Sequence, residues 1–394
     1  MSQPHYDVIV IGLGAMGAAT CHALAARDVR VLGLERFDIP HGLGSSGGHS
    51  RLIRLAYYEH PDYVPLLRRA YAGWDALGEE LGTPVLHRTG ALYLGRPEGE
   101  LIAGSVRAAR AHGLAHELLD EAQVHERCGP FRVPAHFAAL YEPDAGFVLC
   151  ERAIAGFAAG ALRRGASLRG REPVQRWHAD AAGVSVTTAR ATYHADQLVI
   201  TAGAWTGALA HELGVELTVT RQVAGWVWPR APERFTLGRF PCWAVEHDAP
   251  GFDGIYYGFP LMTGHLADVP GLKVGHHAPG PQTDPDAVVG AGADRRAYAP
   301  TDADEADFRP GLSTYLPDAD GPLLSMRVCM YTLSPDRHFV IDRHPGHDRV
   351  TVGCGFSGHG FKLAPAMGEA LADLATTGAS DLPIGFLSMI RSGL

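Results

Sequence analysis

Long apolar runs are scarce in this chain. No stretch approaches the ~20 consecutive apolar residues that span a bilayer, which argues against a transmembrane helix and a membrane partner. Basic runs are scarce too: 34 Lys and Arg against 43 Asp and Glu leave a formal net charge of −9, a poor match to nucleic acid. The six cysteines (Cys21, Cys128, Cys150, Cys242, Cys329, Cys354) are scattered with no CxxC, so neither a disulfide framework nor a thiolate metal site is expected, and most read as buried thiols. The 21 histidines include no set at zinc spacing, and no metal is expected. Repeats and low-complexity linkers are missing, and the first residues run into a strand-like segment without a charged and apolar leader, which predicts a cytoplasmic protein.

What is present is the balance of a globular chain: 394 residues, 46% hydrophobic and 20% charged, enough for one compact body or two interleaved domains around a cofactor. Asp7-Val8-Ile9-Val10-Ile11 reads as a strand, Gly12-Leu13-Gly14-Ala15-Met16-Gly17 as a glycine turn, Ala18 to Arg27 as a helix and Val29 to Glu35 as a second strand. Gly12 permits the tight turn, Gly14 lets backbone approach a pyrophosphate, and Gly17 lets helix and strand pack closely. The helix N-terminus past Met16 offers free N–H groups to phosphates. Glu35, with Arg36 behind it, stands where a carboxylate accepts the ribose hydroxyls of an adenine dinucleotide and disfavours a 2′-phosphate. This order of elements specifies a dinucleotide site but leaves NAD and FAD both open.

Farther on, the spacing of Leu66, Leu67, Tyr71, Trp74, Leu77 and Leu81 predicts a helix over 64–81, and Leu198 to Trp205 reads as a strand returning to the cofactor sheet. The stretch 217–298 alternates Trp, Tyr, Val and Pro in short pieces, as an antiparallel sheet does, and 284–308 looks like a solvated helical insert or loop rather than part of a site. A strand at 350–354 and a helix at 364–374 bring the C-terminus back to the first domain. The fold class is therefore α/β with an α+β substrate part. A Rossmann-like cofactor domain (1–85 with 145–215 and 325–394) is interleaved with an antiparallel-sheet substrate domain (86–144 with 216–324).

A second small-residue loop, Gly44-Ser45-Ser46-Gly47-Gly48-His49-Ser50, runs into Arg51-Leu52-Ile53-Arg54, which places Arg51 and Arg54 on one face of a predicted helix. Such a loop, with Ser45 and Ser46, suits a flavin ring laid against backbone. With these residues in view, the chain resembles the monomeric sarcosine oxidase and N-methyltryptophan oxidase family of FAD-dependent oxidoreductases, from Asp7 to about Gly368. Arg327 to Asp336 is similar to the segment in which the family's cysteine joins the flavin, so the resemblance implies that Cys329 is a covalent FAD anchor. By its neighbours alone, Met330 and Tyr331, it would be a buried thiol. Tyr256 to Pro260 and Gly271 to His277 look like the family's substrate-side strand and its oxygen-activating lysine, which implies that role for Lys273. A lysine in an apolar strand is otherwise one that snorkels to solvent.

Gly355-Phe356-Ser357-Gly358-His359-Gly360-Phe361-Lys362 resembles the family's last flavin loop. The resemblance implies that Gly355, Gly358, Gly360 and Phe361 approach the ring and that Lys362 shares the substrate carboxylate with Arg54. It implies too that Arg51 faces the flavin and that Tyr257, Tyr331 and His277 wall the substrate amine, although aromatics in sheets are more often core. The implied activity is oxidation of a secondary amino acid such as sarcosine, with O2 reduced to hydrogen peroxide, by a monomer. N-methyltryptophan, pipecolate and a dehydrogenase using another acceptor stay open. One departure stands out: Gly47 replaces a histidine of the family, and His49 is the nearest imidazole.

Overall fold

The computed structural model describes residues 5–210, 213–267, 269–290 and 299–394. The hydrophobic strand His5–Ile11 forms the centre of the first sheet, pairing in parallel with Val31–Leu34 on one side and Thr192–Ile200 on the other. Parallel pairing continues outward to Ser167–Arg169 and to His347–Cys354, so segments from both ends of the chain and its middle share one sheet. Both faces of that sheet are covered, as parallel strands require. Helices Ala15–Ala25, Cys150–Arg163 and Ala364–Thr377 join strand residues Val8 and Val10 in one core, and Ile9, Ile11 and Leu198 belong to another. The predicted helix at 64–81 is Tyr63–Leu81, with Leu66, Leu67, Trp74 and Leu77 buried, and it stops at Gly82, whose φ of 65° no side chain adopts cheaply.

The second sheet has eight strands in the order Leu323–Leu333, Thr218–Val227, Gly271–His277, Ile255–Met262, Cys242–Val245, Ala91–Gly95, Ala138–Glu142, Glu117–Leu119. It is antiparallel except where Cys242–Val245 runs parallel to Ala91–Gly95, a mixture that alternation within single strands does not reveal.

Three expectations need correction. Residues Ser50–Ile53 are a strand, paired with Gly146–Leu149, and not a helix. Gly48 (φ 100°) and His49 (φ 66°) turn the chain into that pairing, and Arg54 stands just past the end of the strand that carries Arg51, with both side chains lining the same small cavity. The segment 198–205, read as a strand closed by a glycine bend, is strand only to Ile200, and the bend at Gly203 opens the 3-10 turn Gly203–Trp205. The stretch 284–308 is not merely solvated: Asp286 accepts from Arg36 and Trp205, and Phe308, at 1% exposure, packs on the second sheet. Its residues 291–298 lie outside the described residues. Among the described residues no helix is long and apolar enough to cross a membrane.

Candidate active site

Two cavities open between the sheets. The larger, about 380 Å³, begins at the glycine turn and is lined by Gly12, Gly14, Met16, Glu35, Arg36, Ser45 and Ser46, then by Gly355, Gly358, Gly360 and Phe361. Gly12 sits at φ 88°, and a Cβ there would stand 2.6 Å from the Thr201 carbonyl oxygen. Gly17 lines neither cavity; a Cβ on it would fall 1.8 Å from the Gly12 oxygen, so its job is packing helix on turn. Glu35 is aimed by two backbone amides: Leu13 N donates to Oε2 at 2.7 Å and Phe37 N to Oε1 at 2.9 Å. Ser46 accepts from Ala15 N at 3.2 Å, tying the second loop to the helix N-terminus.

The smaller cavity, about 80 Å³, is walled by one face of the second sheet. Register puts Trp226 opposite Lys273, Ala224 opposite both Gly275 and Arg327, Gln222 opposite Cys329 and Tyr257 opposite Gly275. Period-two alternation then gives Lys273, His277, Tyr257, Cys329 and Tyr331 the same face. Of the six cysteines, all free, only Cys329 is not fully buried.

Arg54 and Lys362 close the opposite wall. Helix Tyr63–Leu81 holds Lys362 in place, since Trp74 Nε1 donates to the Lys362 carbonyl at 2.8 Å and its ring stacks on Phe361. Arg51, Tyr331, Gly358 and Phe361 line both cavities, so the far end of the larger one meets the smaller at these four residues.

Residues 7–374 match the family described as DAO, FAD dependent oxidoreductase. The chain belongs to that family. It is 43% identical over 99% of its length to 98% of a monomeric sarcosine oxidase of Streptomyces avermitilis. It is 37% identical to an N-methyl-L-tryptophan oxidase of Salmonella newport, over 94% of each chain. Among solved structures it is similar to NikD, an unusual amino acid oxidase essential for nikkomycin biosynthesis, with a TM-score of 0.82, 28% identity and 98% of each chain covered.

FAD fits the residues present. Gly12 and Gly17 have no room for side chains, a buried carboxylate at Glu35 lines the same end of the larger cavity, and that cavity leads on to the sheet bearing Cys329. The FAD-family resemblance therefore resolves the choice that the glycine turn left open.

Charge in the smaller cavity is mostly positive and strongly shifted. Lys273 is 0% exposed, and its Nζ donates to the carbonyls of Gly48 and Ser50, both at 2.7 Å. Burial, then the Arg51 charge, lowers it to about 7. Burial and Arg54 lower Lys362 to about 7, and burial lowers His277 to about 4, so this imidazole is neutral beside the Tyr331 hydroxyl at 2.9 Å. Burial raises Tyr257 to about 12.

Three acids escaped the sequence reading. Glu59 binds Arg54 with both oxygens, at 2.6 and 2.7 Å, so the guanidinium expected to be open to a substrate already has a carboxylate on it. Burial alone would raise Glu59, but Arg54, ahead of His359 and Lys362, outweighs it and holds the carboxyl at about 2. An acid five residues past an arginine in the Tyr-rich run Ala56-Tyr57-Tyr58 was the available signal. Glu151 accepts from Gly48 N at 2.9 Å and His49 N at 3.0 Å, fixing the turn before Arg51. Glu142 left no signal in its own neighbourhood. At the departure from the family, a Cβ on Gly47 would stand 2.7 Å from Gly42 Cα, so two backbones cross where a histidine was expected. His49 lines neither cavity; its ring packs edge-on against Trp226 at 5.6 Å.

Proposed function

We propose that this protein is a monomeric FAD-dependent oxidase of a secondary amino acid of the sarcosine type, which converts the C–N bond to an imine and reduces O2 to H2O2. The observation that carries the reading is the meeting of the two cavities: a dinucleotide cleft ends where the basic side chains of Arg51, Arg54, Lys273 and Lys362, the neutral His277, and Tyr257 and Tyr331 line a small pocket. The relatives named as oxidases of N-methyl amino acids support it.

Gly12, Gly14, Met16, Glu35, Arg36, Ser45 and Ser46 would hold the adenine and pyrophosphate, and Arg51, Gly355, Gly358, Gly360 and Phe361 the ring, with Cys329 as covalent anchor. Bound FAD supplies the two-electron acceptor and the means of passing those electrons to oxygen. Arg54 and Lys362 grip the substrate carboxylate, which fixes the carbon to be oxidised; this is positioning rather than acid–base chemistry. Tyr257, Tyr331 and the neutral His277 wall a site of low dielectric, which favours the uncharged amine that can react. Lys273 and Arg51 place positive charge where negative charge develops as oxygen is reduced. Water hydrolyses the released imine, so sarcosine, O2 and water give glycine, formaldehyde and hydrogen peroxide.

Acid precipitation followed by a panel of N-methyl and cyclic amino acids under argon tests this. A yellow pellet, and bleaching by one of the amines followed by peroxide release in air, are expected. A colourless protein, or flavin that no amine bleaches, refutes the reading, and electrons passing to a dye much faster than to oxygen refute the oxidase assignment.

A further inference from the structure

One buried acid has no task in this chemistry. Glu142 ends the strand Ala138–Glu142, directly across from Ala91, and is 1% exposed. On that face of the sheet Tyr93 and Leu140 belong to an apolar cluster with Ala145 and Phe147. A carboxylate is costly to bury there unless its oxygens are hydrogen-bonded. They are: Oε1 accepts from the amides of Leu55 at 2.5 Å and Ala56 at 3.2 Å, and Oε2 from the Tyr93 hydroxyl at 2.8 Å.

The two amides belong to the residues that follow Arg54. The strand Ser50–Ile53 has already ended, so no sheet ladder holds them. The Ala56 carbonyl in turn accepts from Arg54 Nη1 at 3.0 Å. The Ala56 backbone thus joins the two, its N–H donating to the Glu142 carboxylate and its carbonyl, one peptide group farther on, accepting from the guanidinium. The same segment continues into Tyr57 and Tyr58, whose rings lie 4.4 and 4.3 Å from the guanidinium carbon, and then into Glu59. The two acids near Arg54 differ in one respect: Glu59 lines the small cavity, where an incoming carboxylate would compete with it for Arg54, whereas Glu142 lines neither cavity.

The geometry points to Glu142 as a positioning residue for substrate-carboxylate recognition, one that locks the Leu55–Ala56 backbone and through it the rotamer of Arg54. This rests on the reading that Arg54 grips the substrate carboxylate. Holding the guanidinium in its bound orientation beforehand removes an ordering cost from binding. Glu142 touches neither substrate nor cofactor, and what it supplies is acceptor geometry rather than charge.

That distinction sets the experiment. The holoenzyme is titrated with propionate, a carboxylate with no amine to oxidise, and binding is followed by the change in flavin absorbance. Glu142→Leu removes all three acceptor contacts and should weaken propionate, and raise the substrate KM, by about tenfold or more, as expected when the backbone donors that fix this segment lose their acceptor. Glu142→Gln keeps an oxygen for the two amides and an N–H₂ for Tyr93, and should stay within about threefold of the parent protein. A purely structural role would lower Tm in the Leu variant without moving propionate affinity, and that result overturns the inference. A Gln variant as weak as Leu also overturns it, since charge and not geometry would then be at work. Should Glu142→Leu fail to fold, Glu142→Asp decides: the shorter side chain draws the acceptor back from the amides, and unchanged propionate affinity in that variant refutes the role. Arg54→Gln is the control for the premise. Propionate binding that survives it sinks the carboxylate reading itself, whereas loss there with no effect at Glu142 sinks only the positioning role.

Discussion

Replacing Lys273 with Met should slow the reaction of the reduced enzyme with oxygen while leaving reduction by substrate nearly intact. The ammonium is locked by two carbonyls at 2.7 Å and is 0% exposed, so its charge acts from a fixed place. A unit charge ~4 Å from the developing negative charge, at an effective dielectric near ~20, is worth about 4 kcal/mol, or roughly a thousandfold in rate. That is a ceiling, because Arg51 remains in the wall and supplies part of the field. Met matches the length of Lys and takes one donor from each of two carbonyls, but Gly48 O still accepts from Ser50 N at 2.8 Å and Ser50 O from Arg51 Nη1 at 3.0 Å, so the variant should fold, with flavin content and Tm measured alongside.

The sign of the pH effect follows from the same group. Burial and Arg51 bring Lys273 to about 7, so the ammonium is fully present below that pH and lost above it. The oxygen rate of the parent protein should therefore fall as pH rises through about 7, and that of the Met variant should not. Stability runs the other way. An unfolded lysine titrates near 10.5, so the cost of burying the charge is fully present below about 7 and is relieved as pH climbs toward 10.5. The assay is anaerobic reduction followed by rapid mixing with oxygenated buffer. A Met variant within tenfold of the parent at pH 6, fully loaded with flavin, would refute the electrostatic role.

Cys329→Ala should fold and bind FAD but release it on acid precipitation, leaving a white pellet and a yellow supernatant; a pellet that stays yellow points to a different anchor. Glu59→Gln removes the carboxylate that occupies Arg54 at 2.6 and 2.7 Å, and the substrate KM should fall by about tenfold, measured by peroxide release at saturating oxygen. Because Glu59 is held at about 2 against an ordinary 4.5, its pairing stabilises the fold fully above about 4.5 and is lost as pH falls toward 2, so acid unfolding of the Gln variant should show a weaker pH dependence in that window. Gly47→His, which restores the family residue, forces a Cβ to 2.7 Å from Gly42 Cα and should lower Tm by several degrees in a thermal melt, whereas an unchanged Tm would show that the loop gives way freely.

The parts of this molecule legible in its residues are those whose physics is local. Gly12, Gly14 and Gly17 answer to backbone approach within a few residues, and the helix Tyr63–Leu81 and strand His5–Ile11 announce themselves by period. Lys273 and Cys329 were marked by the resemblance, since on their own they read as a lysine snorkelling to solvent and a buried thiol. Periodicity failed at Ser50–Ile53, because four residues cannot distinguish a helix from a strand and the pairing partner is nearly a hundred residues away at Gly146–Leu149.

By itself, then, the sequence determined a dinucleotide cradle, an α/β architecture and, through its resemblance, a set of cations and aromatics for a flavin amine oxidase. Tertiary structure decided how those cations are held. Arg54 is matched with Glu59 and braced from Glu142, Arg36 is paired with Asp286, and the turn at Gly48 hangs on Glu151. The physical reason is that a carboxylate is silent about its partner until the chain has folded. Burial makes a partner compulsory for Arg54 and for Glu142, but only the packing of distant segments says which groups meet.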